Sequence, residues 1–168
     1  MRKYFLSLFI FFMLFFSACG PSDKEIISYN DEIVAQQSLV IIAENELLSA
    51  ISNKDSAIIP IAYEDLLYQI DKSIENTNQI VEIDNEISLK NAALNLFETY
   101  KRVVKNDYQD IIELSLIPES KYTKSMDSIF IMKSKKLNQD LNDANQKFFD
   151  TQKSLSEKFN IAFKIYSE

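Results

Sequence analysis

Thirty residues near the start of the chain, from Asp23 to Ser52, read DKEIISYNDEIVAQQSLVIIAENELLSAIS and predict a long amphipathic helix. Mostly apolar residues recur there every seven positions, in three neighbouring rows. The rows are Ile26, Ile33, Val40 and Leu47; Tyr29, Gln36, Ala43 and Ala50; and Ile27, Val34, Ile41 and Leu48. Such a stripe is wider than the seam of a two-stranded coiled coil, so the helix should pack against two neighbours. At about 1.5 Å per residue, some 28 of these residues in helical conformation would be roughly 42 Å long.

Three further helices are predicted downstream, which makes the expected fold all-α. They span residues 62–82, 86–116 and 120–166. Pro60 disfavours a helical conformation at Ile59, and Pro118 separates the last two helices. A hairpin usually needs a glycine turn, and Gly20 is the only glycine, so no strand pair is expected. Because short connections place consecutive helices antiparallel, the sequence predicts an up-down four-helix bundle with both chain ends at the same end.

The first twenty residues follow a pattern typical of exported lipoproteins. Arg2 and Lys3 precede an unbroken apolar run over residues 4–16, which is too short to span a membrane comfortably and indicates a signal peptide. The run ends in FSACG at residues 16–20, which resembles the lipobox cleaved by the lipoprotein signal peptidase. Cys19 is the only cysteine in the chain. The alternative is an ordinary signal peptide cleaved beside an incidental cysteine.

This pattern divides the chain into three parts. Residues 1–18 form the cleaved lipoprotein signal peptide, residues 19–24 the lipidated N-terminus with a short polar tether, and residues 25–168 the helical domain. Two or three acyl chains on Cys19 would hold the protein stably on a membrane without spanning it. We therefore expect a lipid anchor in the cell envelope, at the outer membrane, with the periplasmic and the exterior face both open.

Composition excludes several classes of function. Removing residues 1–18 takes Arg2 and Lys3 from 18 basic residues and none from 25 acidic ones, which leaves a formal charge of −9. This charge predicts no binding to nucleic acid. The chain has no histidine, so histidine triads and histidine-ligated zinc are excluded, and one glycine is too few for a phosphate-binding loop. We expect no enzyme activity, cofactor or metal, although carboxylate, lysine, tyrosine and serine chemistry stays open.

A few polar residues fall on or beside the predicted apolar stripes. Gln36 or Gln37 in the first helix and Gln152 in the last would need hydrogen-bond partners, because an unpaired buried amide costs about 1–3 kcal/mol. They are candidates for bonding to each other in a buried polar layer that sets helix register. The alternative is a pocket for a small polar ligand, which Tyr29 and Tyr100 would border. The acidic pairs Glu44 with Glu46, Asp110 with Glu113, and Asp140 with Asp143 are expected on solvated faces.

Four short fragments carry a family resemblance. These are Tyr29-Asn30-Asp31 with Ile33-Val34, Ala92-Ala93-Leu94 with Phe97 and Tyr100, Tyr108 with Ile111-Ile112, and Gln152 with Phe159. Together they resemble a group of small uncharacterised surface lipoproteins of Bacteroidota and leptospires. The resemblance implies a helical surface or periplasmic lipoprotein and assigns no activity, ligand or active site. The chain departs from the group at Asp84-Asn85, where the group favours a glycine before the third helix.

Two functions are expected from this sequence. The first is a membrane-anchored envelope lipoprotein whose helical domain is a non-enzymatic protein-interaction or structural module. Its partners would be the membrane, through Cys19, and an unknown envelope or surface protein. The alternative is a helical bundle in the envelope that binds a small ligand near the polar glutamines and tyrosines.

Overall fold

The computed structural model describes residues 20–163, so the predicted signal peptide and Cys19 lie outside the described residues. The helices are α1 (Asp23–Ser52), α2 (Ile59–Gln79), α3 (Ser88–Val103), a π-helical turn (Val104–Tyr108), α4 (Gln109–Ser115), a 3₁₀ turn (Glu119–Lys121) and α5 (Lys124–Phe159). The described part of the chain contains no strand, only an isolated bridge between Ile83 and Glu86. The prediction of an all-α chain with four helices is confirmed, with α3, the π turn and α4 together forming the third. Within residues 20–163, none of the helices has the length and apolar character needed to cross a membrane.

Helix α1 has the bounds that the sequence predicts. It begins with a capping box in which the Ser22 hydroxyl accepts from the Glu25 N–H and the Ser22 N–H donates to the Glu25 carboxylate at 2.7 Å. The row from Ile26 to Leu47 is fully buried. The third row is only partly buried, because Ile27 and Leu48 remain more than a third exposed.

Helix α2 begins at Ile59, so the prediction of a start at Ala62 is wrong. Pro60 lies in the first turn, where its missing N–H would have no helical partner, and proline favours that position. The Asp55 carboxylate accepts from the Ile58 N–H at 3.2 Å and supports this start. The helix ends at Gln79, three residues before the predicted end at Glu82, because Ile80 is already extended.

The turn from α2 to α3 contains Asp84 and Asn85, both with positive φ, at 51° and 58°. The structure thus has a left-handed conformation at two consecutive non-glycine positions. Asparagine and aspartate tolerate this conformation better than other non-glycine residues. The third helix then begins at Ser88, against the predicted Glu86, because Glu86 still belongs to the turn.

The π turn at Val104–Tyr108 interrupts the third helix and was not predicted. Leu96, Tyr100, Val104 and Tyr108 follow one another in steps of four residues and are all buried. In a regular α-helix, each step of four rotates the side chain by about 40° away from the previous one. A wider π turn offsets this drift, so both Tyr100 and Tyr108 face the interior.

The fourth predicted helix is α5, which begins at Lys124 where Ser120 was predicted. Residues Glu119–Lys121 form a 3₁₀ turn after Pro118, and Thr123 caps α5 by accepting from the Met126 N–H. The helix ends at Phe159, before the predicted Tyr166, because Asn160 takes a left-handed conformation. Its first third buries no residue: the buried positions begin at Leu137.

The helices enclose one apolar core. Helix α1 packs against α2, α2 against α3, and α3 against α5, while α1 also contacts α3. The largest fully buried side chains include Tyr108, Phe97, Ile33, Leu47, Ile59, Leu66, Ile70, Leu89 and Leu96. Because α1, the third helix and α5 all face this core, polar residues on their inner faces are brought together.

Candidate functional site

The predicted amide Gln152 is buried and donates to the Asn30 side-chain oxygen at 2.7 Å. Asn30 is itself buried and donates to the Asp31 carboxylate at 3.1 Å. The predicted bond between Gln152 and a glutamine of α1 is therefore wrong, because Asn30 stands opposite Gln152 in the register that the helices adopt. The bond joins residues 122 positions apart and ties the start of α1 to the end of α5.

The other two predicted glutamines, Gln36 and Gln37, point to different neighbours. Gln37 donates to the Asn145 side-chain oxygen on α5 at 2.9 Å. Gln36 faces α2, where its side-chain oxygen accepts from Asn76 at 3.2 Å and its backbone carbonyl accepts from the Ser73 hydroxyl at 3.2 Å. The three glutamines thus lie at three separate contacts.

Tyr29 is buried and joins α1 to the turn before α3. Its hydroxyl donates to the Glu86 backbone carbonyl at 3.0 Å, and burial raises its pKa to about 12. The Glu86 carboxylate accepts from Lys158 at 2.8 Å and from the Ser88 N–H at 2.8 Å. Burial alone would raise the pKa of Glu86, but the hydrogen bonds from Lys158 and Ser88 outweigh it, so the pKa is lowered.

Tyr100 belongs to a cluster that the sequence analysis missed. Tyr108 donates to the Glu44 carboxylate at 2.6 Å, and the Tyr100 hydroxyl interacts with Glu44 and Asn145. Burial raises the pKa of Glu44 although both tyrosine hydroxyls act to lower it, and burial beside Glu44 raises the pKa of each tyrosine. Glu44 was expected on a solvated face; the structure instead places it half-buried, facing the core.

A signal for the missed residues exists in the sequence. Asn30, Gln37 and Glu44 recur every seven positions on α1, each directly after a member of the Tyr29 row. On α5, Asn145 and Gln152 have the same seven-residue spacing. We call these five residues the polar seam. It consists of two matched heptad rows, and its bonds pair Asn30 with Gln152 and Gln37 with Asn145.

A second set of charges lies outside the seam, around the π turn. Asp107 is buried and accepts from Lys136 at 3.2 Å, and Lys136 also bonds to Asp140. Hydrogen bonds from Arg102 and Lys136 lower the pKa of Asp140, while the bonds to Asp107 and Asp140 raise the pKa of Lys136. These pairs join the third helix to α5.

The polar groups of the interior face one another. Glu44 faces two tyrosine hydroxyls, and Tyr108 donates to its carboxylate. Among residues 20–163, no cluster of three or more acidic, cysteine or histidine side chains is placed to hold a metal ion. In the same part of the chain, the Thr77 hydroxyl is the one buried side-chain polar atom that lacks a hydrogen-bond partner. The interior polar groups therefore serve mainly to bond to one another.

Two open grooves lie on the surface of the α1–α2 pair. The N-terminal groove, of about 1130 Å³, runs between the first half of α1 and residues 79–84, and Tyr29 and Gln36 border it. The outer groove, of about 580 Å³, lies nearer the turn between the two helices. Its large apolar and acidic lining residues are Ile42, Glu46, Asp55, Ile58, Ile61 and Asp65.

The outer groove continues into a wider apolar surface. Ile42 and Ile61 are 56% and 57% exposed, and Ile58 is 47% exposed. Leu39, one turn before Ile42, and Tyr68, two turns after Ile61, are also exposed.

No protein-family model, curated protein or solved structure matches this chain.

Proposed function

We propose that this chain is a lipid-anchored helical module of the bacterial cell envelope that binds another protein and carries out no reaction. The apolar surface around the outer groove carries this proposal. Five large apolar side chains stand exposed in the groove or on the helix faces beside it. Monomeric proteins rarely expose contiguous apolar patches larger than a few hundred Å², and larger patches mark interaction sites. The anchor itself is inferred from the lipobox-like sequence that ends at Cys19.

The proposed arrangement is an up-down four-helix bundle. The polar seam supports it, since residue numbers fall along α5 as they rise along α1. Between α2 and the third predicted helix, the bonds of Tyr63 with Gln109 on α4 and of Asp71 with Lys101 on α3 change number in the same opposing way. In this arrangement the start of α1 lies beside the end of α5, and Ile42 lies about 30 Å along α1 from Asp23. A partner would therefore bind well away from the anchored end.

The small-ligand alternative has less support from the contacts. Gln37, Gln152 and Tyr29 all bond to groups within the protein, and Gln36 accepts from Asn76. A ligand in the N-terminal groove would have to replace some of these bonds, and a replaced internal bond leaves its partner unsatisfied. A partner that packs on the exposed apolar side chains around the outer groove would not have to replace any hydrogen bond of those side chains.

The anchor is tested by replacing Cys19 with alanine in the full chain. We expect wild-type protein to incorporate labelled fatty acid and to sediment with membranes, and Cys19→Ala to lose the label and to accumulate as the uncleaved precursor. Ser17→Ala, which keeps the small residue before the cleavage point, is the control. Undiminished fatty-acid labelling of Cys19→Ala would contradict the anchor.

Protein binding is tested by photo-crosslinking in intact cells. A photo-reactive benzoylphenylalanine replaces one exposed residue at a time on each face, including Ile61 on α2 and Ile131 on α5. We expect at least one position to form a covalent adduct with another envelope protein. If normally expressed protein forms no protein adduct at any position, the proposed function is wrong.

A further inference from the structure

The outer groove combines apolar walls with charge of one sign. Three acidic residues line it, and neither lysine nor arginine does. Asp55 is occupied locally, since its carboxylate accepts from the N–H groups of Ala57 and Ile58 at 3.1 and 3.2 Å. Glu46 and Asp65 are exposed and make no ion pair within residues 20–163. Two carboxylates are thus available beside the exposed isoleucines.

The spacing of these groups follows the helical repeat. Ile42 and Glu46 are four residues apart on α1, and Ile61 and Asp65 are four residues apart on α2. Each helix therefore presents an apolar side chain and a carboxylate one turn further on, along the same edge of the groove. A rod-shaped partner lying along the groove would meet apolar contacts and negative charge from both walls.

We infer that the outer groove binds an amphipathic helix of another envelope protein, one that carries lysine or arginine beside its apolar row. This inference rests on the protein-binding function proposed above and specifies its partner. A helix presenting apolar residues at i, i+3, i+4 and i+7 fits a groove between two helices. The carboxylates at the rim then select the basic helix over an acidic one, because opposite charges steer association and like charges oppose it.

A second copy of this chain fits the groove less well. The apolar residues exposed near the start of α5, Ile129, Ile131 and Met132, do have lysines beside them. Of these lysines, Lys133 and Lys136 already pair with Asp110 and Asp107 in the same chain. Two such chains would also approach each other with a large negative charge on each.

The experiment uses the full-length protein in its native membrane with benzoylphenylalanine at position 61. The crosslinked segment is identified by mass spectrometry of the joined peptides. We expect a segment from another envelope protein with an apolar row at helical spacing and at least two flanking lysine or arginine residues. An adduct with a lipid, with a second copy of this chain, or with an acidic or non-helical segment would overturn the inference.

The charge requirement is tested in the same crosslinking background. Glu46→Lys with Asp65→Lys should lower the adduct yield at position 61 about tenfold, as expected when rim contacts worth about 1.4 kcal/mol in total are lost. Asp143→Lys with Asp150→Lys, an equal charge change on exposed positions of α5, should leave the yield unchanged. Equal yields from the two double variants would remove the charge argument. Circular dichroism of both variants establishes that the helix content is retained.

The two proposals fail in different ways. If position 131 forms adducts with a protein and position 61 does not, the chain still binds a partner and only the outer groove is excluded. If neither these positions nor any other exposed position forms a protein adduct, the proposed function itself fails.

Discussion

Helix α1 carries a few polar residues on its mainly apolar inner face and a few apolar residues on its mainly polar outer face. On its inner face, the polar residues Asn30, Gln37 and Glu44 stand every seven positions next to a fully apolar row. On its outer face, Leu39 and Ile42 stand in solvent. The two faces differ in how far their side chains are enclosed. Each of the three polar residues has a hydrogen-bond partner on another helical segment, whereas Leu39 and Ile42 are 43% and 56% exposed.

This difference separates residues that stabilise the fold from residues that contribute little to its stability. A buried amide or carboxylate is tolerated only where hydrogen bonds replace those lost from water, so the inner polar row constrains how α5 and the third helix sit against α1. An exposed isoleucine contributes little to folding, because it is not removed from water. Substitutions on the outer face should therefore change stability little, and under the proposed function they should change binding.

The largest expected effect compares an inner and an outer apolar residue of α1. Leu47→Ala should lower the free energy of unfolding by about 2–5 kcal/mol, since Leu47 is fully buried and its removal leaves a cavity. Ile42→Ala, at a position 56% exposed, should change it by less than about 0.5 kcal/mol. Urea unfolding followed by circular dichroism measures both. Similar losses for the two variants would mean that the outer face is covered in the folded protein.

A smaller effect is expected from the hydrogen bond between Asn30 and Gln152. Asn30→Ala removes one partner and leaves the buried Gln152 amide unpaired, which should cost about 1–3 kcal/mol. The double variant with Gln152→Ala should cost less than the sum of the two single changes, because neither amide is then left alone. Asn45→Ala, at an exposed position on the outer side of α1, is the control and should have almost no effect.

This double-mutant cycle has a clear contradicting outcome. Strictly additive losses would show that the two amides do not stabilise each other. The polar seam would then contribute packing volume only, and helix register would depend on the apolar rows alone.

The sequence predicted the helices better than it predicted their partners. The bounds of α1 could be read because the signal is local: the apolar rows run from Ile26 to Ala50. The capping box of Ser22 and Glu25, a second local signal at the start of the helix, was not used. The start of α2 was misplaced because proline was treated as a barrier, although it is favoured in a first turn. The π turn was missed because the four-residue steps from Leu96 to Tyr108 look like an ordinary helical repeat.

The hydrogen-bond partners of the polar residues could not be predicted from nearby sequence, and the reason is different. The sequence marks Gln37 and Gln152 as residues that need partners, but their partners lie 108 and 122 positions away. Which residue stands opposite depends on how far each helix slides along its neighbour, and the apolar rows restrict this sliding only to steps of about one turn. The spacing of Glu44 from Gln37 marks it as an inner residue, but nothing near it in the sequence indicates that its partner is Tyr108.

The smallest expected effect compares the inner carboxylate Glu44 with the outer carboxylate Glu46. Burial raises the pKa of Glu44 above its ordinary value of 4.5 in the folded protein, so the folded state binds this proton more tightly than the unfolded chain. The resulting stability is fully present below the unfolded pKa and is lost as the pH rises through the folded pKa. Glu44→Gln cannot ionise and escapes this loss. Its stability relative to wild type should therefore increase as the pH rises from about 4 to about 7, by a smaller amount than the loss expected for Asn30→Ala.

The comparison is made by urea unfolding at several pH values in this window, with Glu46→Gln removing the same charge from the exposed face. The prediction is confirmed if the relative stability rises with pH for Glu44→Gln and not for Glu46→Gln. This result would show that the folded surroundings of Glu44 favour its protonated form. A relative stability of Glu44→Gln that falls with pH would mean that the hydrogen bond from Tyr108 outweighs the cost of burial. In that case the ionised Glu44 itself would stabilise the contact between α1 and the third helix, and the inner face would depend on charge as the outer groove is proposed to do.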